Sequence, residues 1–114
     1  MTDYSGKHAV YISGPITGRE HQEVMDHFSK MHNILEKKGF DVYNPTLNPK
    51  RGTWEDYMRD GIVQLMKCDS IMMLHGWSNS RGATLERFIA EQLGMSIYYE
   101  AFSEDIDRKA HEQS

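Results

Sequence analysis

The chain has 114 residues, 39% of them hydrophobic and 26% charged, with a net charge of -4, a pI near 5.8 and a mean hydropathy of -0.67. That length holds one domain with one core, and the acidic balance leaves no basic footprint for a nucleic-acid polymer. A lone cysteine, Cys68, argues against a disulfide framework or a thiolate-rich metal site, and no apolar run approaches the roughly 18–20 residues that span a membrane.

His8–Ser13 is short, β-branched and aromatic and stops at Gly14–Pro15, so it reads as a first strand. From Glu20 to Lys38 the apolar residues Val24, Phe28, Met31, Ile34 and Leu35 recur at helical spacing, and Gly39 is a natural helix stop. Phe40–Tyr43 reads as a second strand cut off by Asn44–Pro45, and the Pro/Asn/Gly-rich stretch Asn44–Gly52 reads as a loop. Trp54, Met58, Ile62, Leu65 and Met66 mark a second helix capped by Thr53. Ser70–Leu74 is the third strand, and a loop with Gly76, Trp77, Ser78 and Asn79 follows. Leu85, Phe88, Ile89 and Leu93 mark a third helix, which Gly94 stops, and Met95–Tyr99 is a fourth strand. The last residues, 100–114, read as a charged tail.

Strands alternating with helices of this length need crossover connections, which predicts a parallel sheet. The expected fold is α/β: a single domain over 1–114, with its core at about 8–99. It is a three-layer sandwich with a central parallel sheet of four to five strands, Rossmann- or flavodoxin-like. Ligands of such sheets sit outside the carboxyl ends of the strands. That rule gathers Ser13–Gly18, Asn44–Gly52 and His75–Gly82 into one place.

The segment Ser80–Glu86 opens the third helix directly after a strand and loop. Helix N-termini attract anions, so a phosphate near Ser80 would be well placed, and Glu86 beyond it could serve as nucleophile or base. Taken singly, these residues have ordinary readings too. Glu86 fits a solvated helix glutamate pairing with Arg81 or Arg87, Ser80 a plain helix cap, Asp60 a partner of Arg59, and Tyr11 a core residue. The first loop lacks both the dinucleotide and the phosphate-loop glycine spacings. Trp54 falls in the apolar stripe and reads as packing, whereas Trp77, beside Ser78 and Asn79, is the better base-stacking candidate. His21, His27 and His32 are spaced by six and five and do not share one helical face, so no metal is expected. His75 ends the third strand at the ligand edge, and Cys68 reads as buried packing.

Together these pieces resemble the nucleoside 2-deoxyribosyltransferase superfamily, which includes the 2′-deoxynucleoside 5′-phosphate N-hydrolases. The resemblance spans roughly residues 8–99. It rests on Tyr11-Ile-Ser-Gly-Pro-Ile-Thr-Gly18, on Asp60 with Cys68–Asp69, and on Ser80-x-Gly82-x-x-x-Glu86. It implies that Glu86 attacks the anomeric carbon to form a glycosyl-enzyme intermediate, while Asp60 orients it or assists the leaving base. It also implies that Ser80 meets a 5′-phosphate. Tyr11 would lie near the sugar, the loop of Gly14 and Ile16 would pack on the base, and Ser13 and Gly82 would join them in binding substrate. Thr17 stands where the best-known hydrolases carry an arginine; Arg19, Arg51 and Arg81 are the candidates to replace it.

The chemistry agrees with those assignments and calls for no cofactor. Breaking an N-glycosidic bond builds positive charge on the sugar, which a carboxylate stabilises. Retaining glycosidases hold two carboxyls about 5–5.5 Å apart, so Asp60 is expected close to Glu86, with their pKa values pushed apart. The expected function is hydrolysis of the N-glycosidic bond of a (2′-deoxy)nucleoside 5′-monophosphate. The alternatives are a transferase using a second base as acceptor and a non-catalytic nucleotide-binding module. The partners expected are a small nucleotide or nucleoside, no nucleic-acid polymer, no membrane, and further copies of the chain in a homodimer or higher oligomer, joined through the second and third helices. No signal peptide is legible, so a cytoplasmic setting is expected.

Overall fold

The computed structural model describes residues 8–49 and 52–100. Arg51 and, beyond Glu100, the charged tail lie outside the described residues. The elements run β1 (Ala9–Ser13), α1 (His21–Lys37), β2 (Asp41–Tyr43), α2 (Trp54–Leu65), β3 (Ser70–Met73), α3 (Arg81–Gln92) and β4 (Ser96–Tyr99). Each of the predicted strands and helices is present, with ends shifted by a few residues.

One difference has a local cause. The stretch after β2 is not featureless: Pro45–Leu47 forms a 3-10 turn, because the Asn44 side chain accepts from the Thr46 N–H at 3.0 Å and Pro45 presets its own φ. Helix α3 begins at Arg81, where the sequence places its opening, because Ser80 Oγ accepts from the Ala83 N–H at 3.1 Å. For α2 the expected cap is reciprocal: Asp56 N–H donates to Thr53 Oγ1, and the Asp56 carboxylate accepts from the Thr53 N–H.

The sheet is parallel throughout, in the order β2-β1-β3-β4. Tyr11 of β1 pairs with Tyr43 on one side and Ile71 on the other, and Ser13 pairs with Met73. Alternation along β1 splits the core. Val10 and Ile12 pack with Val24, Phe28, Met31 and Leu35 of α1, whereas Tyr11 joins Leu65, Ile71, Met73, Ala83 and Ala90 under α2 and α3. The result is the expected three-layer sandwich, with α1 on one face and α2 and α3 on the other. From β1 the chain moves outward to β2, and from β3 outward to β4, so the strand order reverses between β1 and β3. A crevice therefore opens at their carboxyl ends. Among the described residues no helix is long and apolar enough to cross a membrane.

Candidate active site

The crevice is built from four pieces of chain. β1 ends with Tyr11 and Ser13 on the α2/α3 face, because residues two apart in a strand share a side. The loop after it supplies Gly14, Ile16 and Thr17. Helix α2 contributes Trp54, Tyr57 and Met58, and α3 contributes Ser80 at its cap, Gly82, Ala83 and Glu86; Pro45 closes the remaining side. The partly open cavity they line is about 30 Å³, enough for a water-sized occupant.

Glu86 lies at the floor. It shares the sheet-facing stripe of α3 with Ala83 and Ala90 and is only 6% exposed. Both carboxyl oxygens are held: Tyr11 Oη donates to Oε2 at 2.8 Å, and Ser13 Oγ donates to Oε1 at 2.6 Å. Burial disfavours the charged form, the two hydroxyl bonds favour it, and burial wins. The carboxyl is pushed up to about 7. The same surroundings act on the phenols. Burial raises Tyr11 well above its usual range, with the Glu86 charge adding to it, and the two effects in that order push Tyr57 up to about 12.

The helices approach closely because glycines face the site. A Cβ on Gly61 of α2 would stand 2.6 Å from Tyr11 Oη and 3.0 Å from Glu86 Oε2. One on Gly82 would stand 2.9 Å from Met58 Sδ, and one on Gly14 would stand 2.7 Å from Leu74 Cβ. Around the cavity, the Arg81 guanidinium lies 3.8 Å from the Trp54 ring centroid, a cation–π stack, and Tyr57 Oη donates to the Pro45 carbonyl at 3.1 Å.

The structure thus brings Tyr11, Ser13, Gly14, Ile16, Ser80, Gly82 and Glu86 together. It does not bring Trp77 to them. That ring packs against Tyr99, with centroids 6.0 Å apart, beneath Arg87 on the far side of α3, and Trp54, read from its spacing as packing, lines the cavity instead. Asp60 is half-buried on α2 beside Gly61 and is not among the residues lining the cavity; the groups on the Glu86 carboxyl are the hydroxyls of Tyr11 and Ser13. His75 lies in a separate groove with Arg19 and His27. Sequence reasoning missed Tyr57, Met58, Pro45 and the part played by Trp54. The signal was there: Trp54, Tyr57, Met58 and Gly61 fall at i, i+3, i+4 and i+7, one stripe of α2, with a glycine where helices disfavour it.

Residues 8–99 match the family model described as a domain of unknown function (DUF4406). No curated protein matches the chain. Among solved structures, a 2-desoxiribosyltransferase from Leishmania mexicana shares the fold, with a TM-score of 0.62 at 20% identity. The alignment covers 81% of this chain and 63% of that one, so the chain spans less than two thirds of that protein's length. The fold implied by the resemblance is the fold observed.

Proposed function

This chain belongs to the DUF4406 family, and we propose that it hydrolyses the N-glycosidic bond of a 2′-deoxynucleoside 5′-monophosphate, releasing free base and sugar phosphate. One observation carries this reading: a buried glutamate, gripped through both oxygens by hydroxyls, at the carboxyl edge of a parallel sheet and on the helix whose N-terminus Ser80 caps. Burial keeps the Glu86 carboxylate poorly solvated and so reactive, and the two hydroxyls aim it.

In this scheme a Glu86 oxygen attacks the anomeric carbon. The C1′–N bond breaks, and its electron pair leaves with the base, which takes up a proton. Water then attacks the same carbon and gives up a proton, which balances the one the base took; the ester bond from C1′ to Glu86 breaks and the carboxylate is regenerated. Asp60 lies outside the cavity lining, so the second-acid role that the resemblance gives it is what Asp60→Asn tests in this scheme. Ser80 and the free N–H groups of the first turn of α3 meet the phosphate, with Arg81 beside them as the cation that Thr17 does not supply.

A nucleotide exceeds a 30 Å³ cavity many times over, so in this reading its walls move apart on binding, the stacked Trp54 among them. Assembly belongs to the same reading. Val63, Met66, Leu85 and Phe88 expose apolar surface on the outer faces of α2 and α3, which suits a homodimer joined there.

The test is a panel of ribo- and deoxynucleosides and their 5′-monophosphates, chromatographed for free base beside Glu86→Gln and Asp60→Asn. Base released from a monophosphate and abolished in Glu86→Gln supports the hydrolase. The fold shared with a 2-desoxiribosyltransferase favours a second reading, in which base appears only when an acceptor base is added. Binding without release from any compound would make the protein a nucleotide-binding module.

A further inference from the structure

Behind the cavity, on the α1 side of the sheet, a run of polar side chains ties together the two loops that wall it. Glu100 follows β4, and its N–H donates to the Met73 carbonyl at 2.9 Å. Its carboxylate is 15% exposed and accepts twice on Oε1, from His27 Nε2 at 2.8 Å and from the His75 backbone N–H at 2.7 Å. His27 Nδ1 lies 3.3 Å from Arg19 Nη1, and the same Nη1 donates to the Pro15 carbonyl at 2.9 Å. A guanidinium only donates, so Nδ1 must accept and the ring proton sits on Nε2, pointing at Glu100. Donation therefore runs outward from Arg19, to the Pro15 carbonyl on one side and through His27 to Glu100 on the other. Burial raises the Glu100 carboxyl, but the bonds from His27 and His75 outweigh it and leave the group below its usual range, an ionised anchor.

The two loops reached by this chain touch each other. Gly14 packs so tightly on Leu74 that a Cβ would stand 2.7 Å from it, and a Cβ on Gly76 would stand 3.2 Å from Pro15 Cγ. One loop carries Gly14, Ile16 and Thr17 into the cavity. The other runs from Leu74 through Gly76, where φ is +90°, to Ser80, and Gly82 follows in the first turn of α3. Glu100, His27, Arg19 and His75 are not among the cavity's lining residues, so any effect they have on a ligand passes through the loops.

We propose that Glu100 is a positioning residue, which through His27, Arg19 and the His75 N–H sets the spacing of the two loops that receive the substrate. The proposal rests on the reading that the cavity is the nucleotide site. A tie that merely fastens the end of β4 to α1 would leave those loops alone, and that difference is measurable.

The test compares Glu100→Ala, which removes the acceptor, with Glu100→Gln, which keeps an acceptor oxygen in place. In ¹⁵N–¹H spectra, Glu100→Ala is expected to move the amides of Gly14, Ile16, Thr17, Ser80 and Gly82. KM for a deoxynucleoside monophosphate should rise about tenfold with kcat changed less, the scale of a lost charge-assisted bond acting through geometry. Glu100→Gln should restore both. Arg19→Met should move the Gly14–Thr17 amides and spare Ser80, and it decides the point should Glu100→Ala fail to fold. Loop amides that stay at their wild-type positions, or loop amides that move while KM does not, overturn the proposal. Absence of base release by the wild-type protein would count against the hydrolase instead. The loop amides, read with and without a bound deoxynucleoside monophosphate, would then judge the positioning role by itself.

Discussion

Gly61 faces the Glu86 carboxyl so closely that a methyl group on its α-carbon would stand 3.0 Å from Oε2, and 2.6 Å from the Tyr11 oxygen bonded to it. A glycine inside a helix ordinarily costs about 1 kcal/mol relative to alanine. Here it leaves room for the hydrogen bond on which the site depends. Gly61→Ala should therefore destabilise the protein, because overpacking against a buried, bonded hydroxyl costs about 1–3 kcal/mol and outweighs the gain in propensity. Urea unfolding checks this. A variant more stable than the parent would show that Tyr11 and Glu86 yield without cost.

The pH dependence follows from Glu86. Its carboxyl is pushed from 4.5 up to about 7 in the folded protein. Below pH 4.5 both folded and unfolded chains hold the proton and nothing is lost. Between 4.5 and 7 the unfolded chain releases it first, so stability falls as pH rises, by about 3 kcal/mol in all above pH 7. Glu86→Gln removes that penalty, and its stability advantage should grow by roughly 2–3 kcal/mol from pH 5 to pH 8. Equal unfolding free-energy differences at the two pH values would contradict a desolvated carboxyl.

Turnover should depend on the same group in the opposite sense. The nucleophile works ionised, so kcat/KM for base release should climb through a midpoint near 7. The Tyr11 bond favours the ionised form, so Tyr11→Phe should shift the midpoint upward by about one unit. A midpoint that stays put, or moves down, would remove Tyr11 from the control of Glu86.

The two tryptophans make different predictions. Trp54 lines the cavity under Arg81, whereas Trp77 packs on Tyr99. A nucleotide that parts the Arg81–Trp54 stack should change tryptophan emission, and Trp54→Phe should abolish the change while Trp77→Phe keeps it. The reverse pattern would restore Trp77 as the base-stacking residue.

Assembly is tested at Phe88, which is 58% exposed on the outer face of α3 near Leu85. A charge placed in an apolar dimer interface is costly, so Phe88→Glu should convert a dimer to a monomer in light scattering while leaving the circular dichroism unchanged. A wild-type protein that already runs as a monomer would refute the interface.

Much of this was legible before any coordinate. Val24, Phe28, Met31 and Leu35 declare a helix face because apolar side chains at that spacing must share a side, and Gly39 and Gly94 mark stops because their positive φ suits glycine. Glu86 and Ser80 were legible as a pair because their spacing along one helix follows from the chain alone.

Periodicity says which residues share a face and is silent on what that face meets. Trp54 belongs to one stripe of α2 under either reading; only the packing of α2 beside β1 and α3 turned that stripe into a cavity wall. Ser13 and Glu86 are 73 residues apart, as are His27 and Glu100, and their contacts exist because the parallel register of β1, β3 and β4 brings those chain segments to one edge. The sequence by itself determined the alternating elements, the parallel sheet and the carboxylate on α3. Only the tertiary structure decided that this carboxylate is buried, doubly bonded and pushed up to about 7, because desolvation depends on which distant atoms displace water around it.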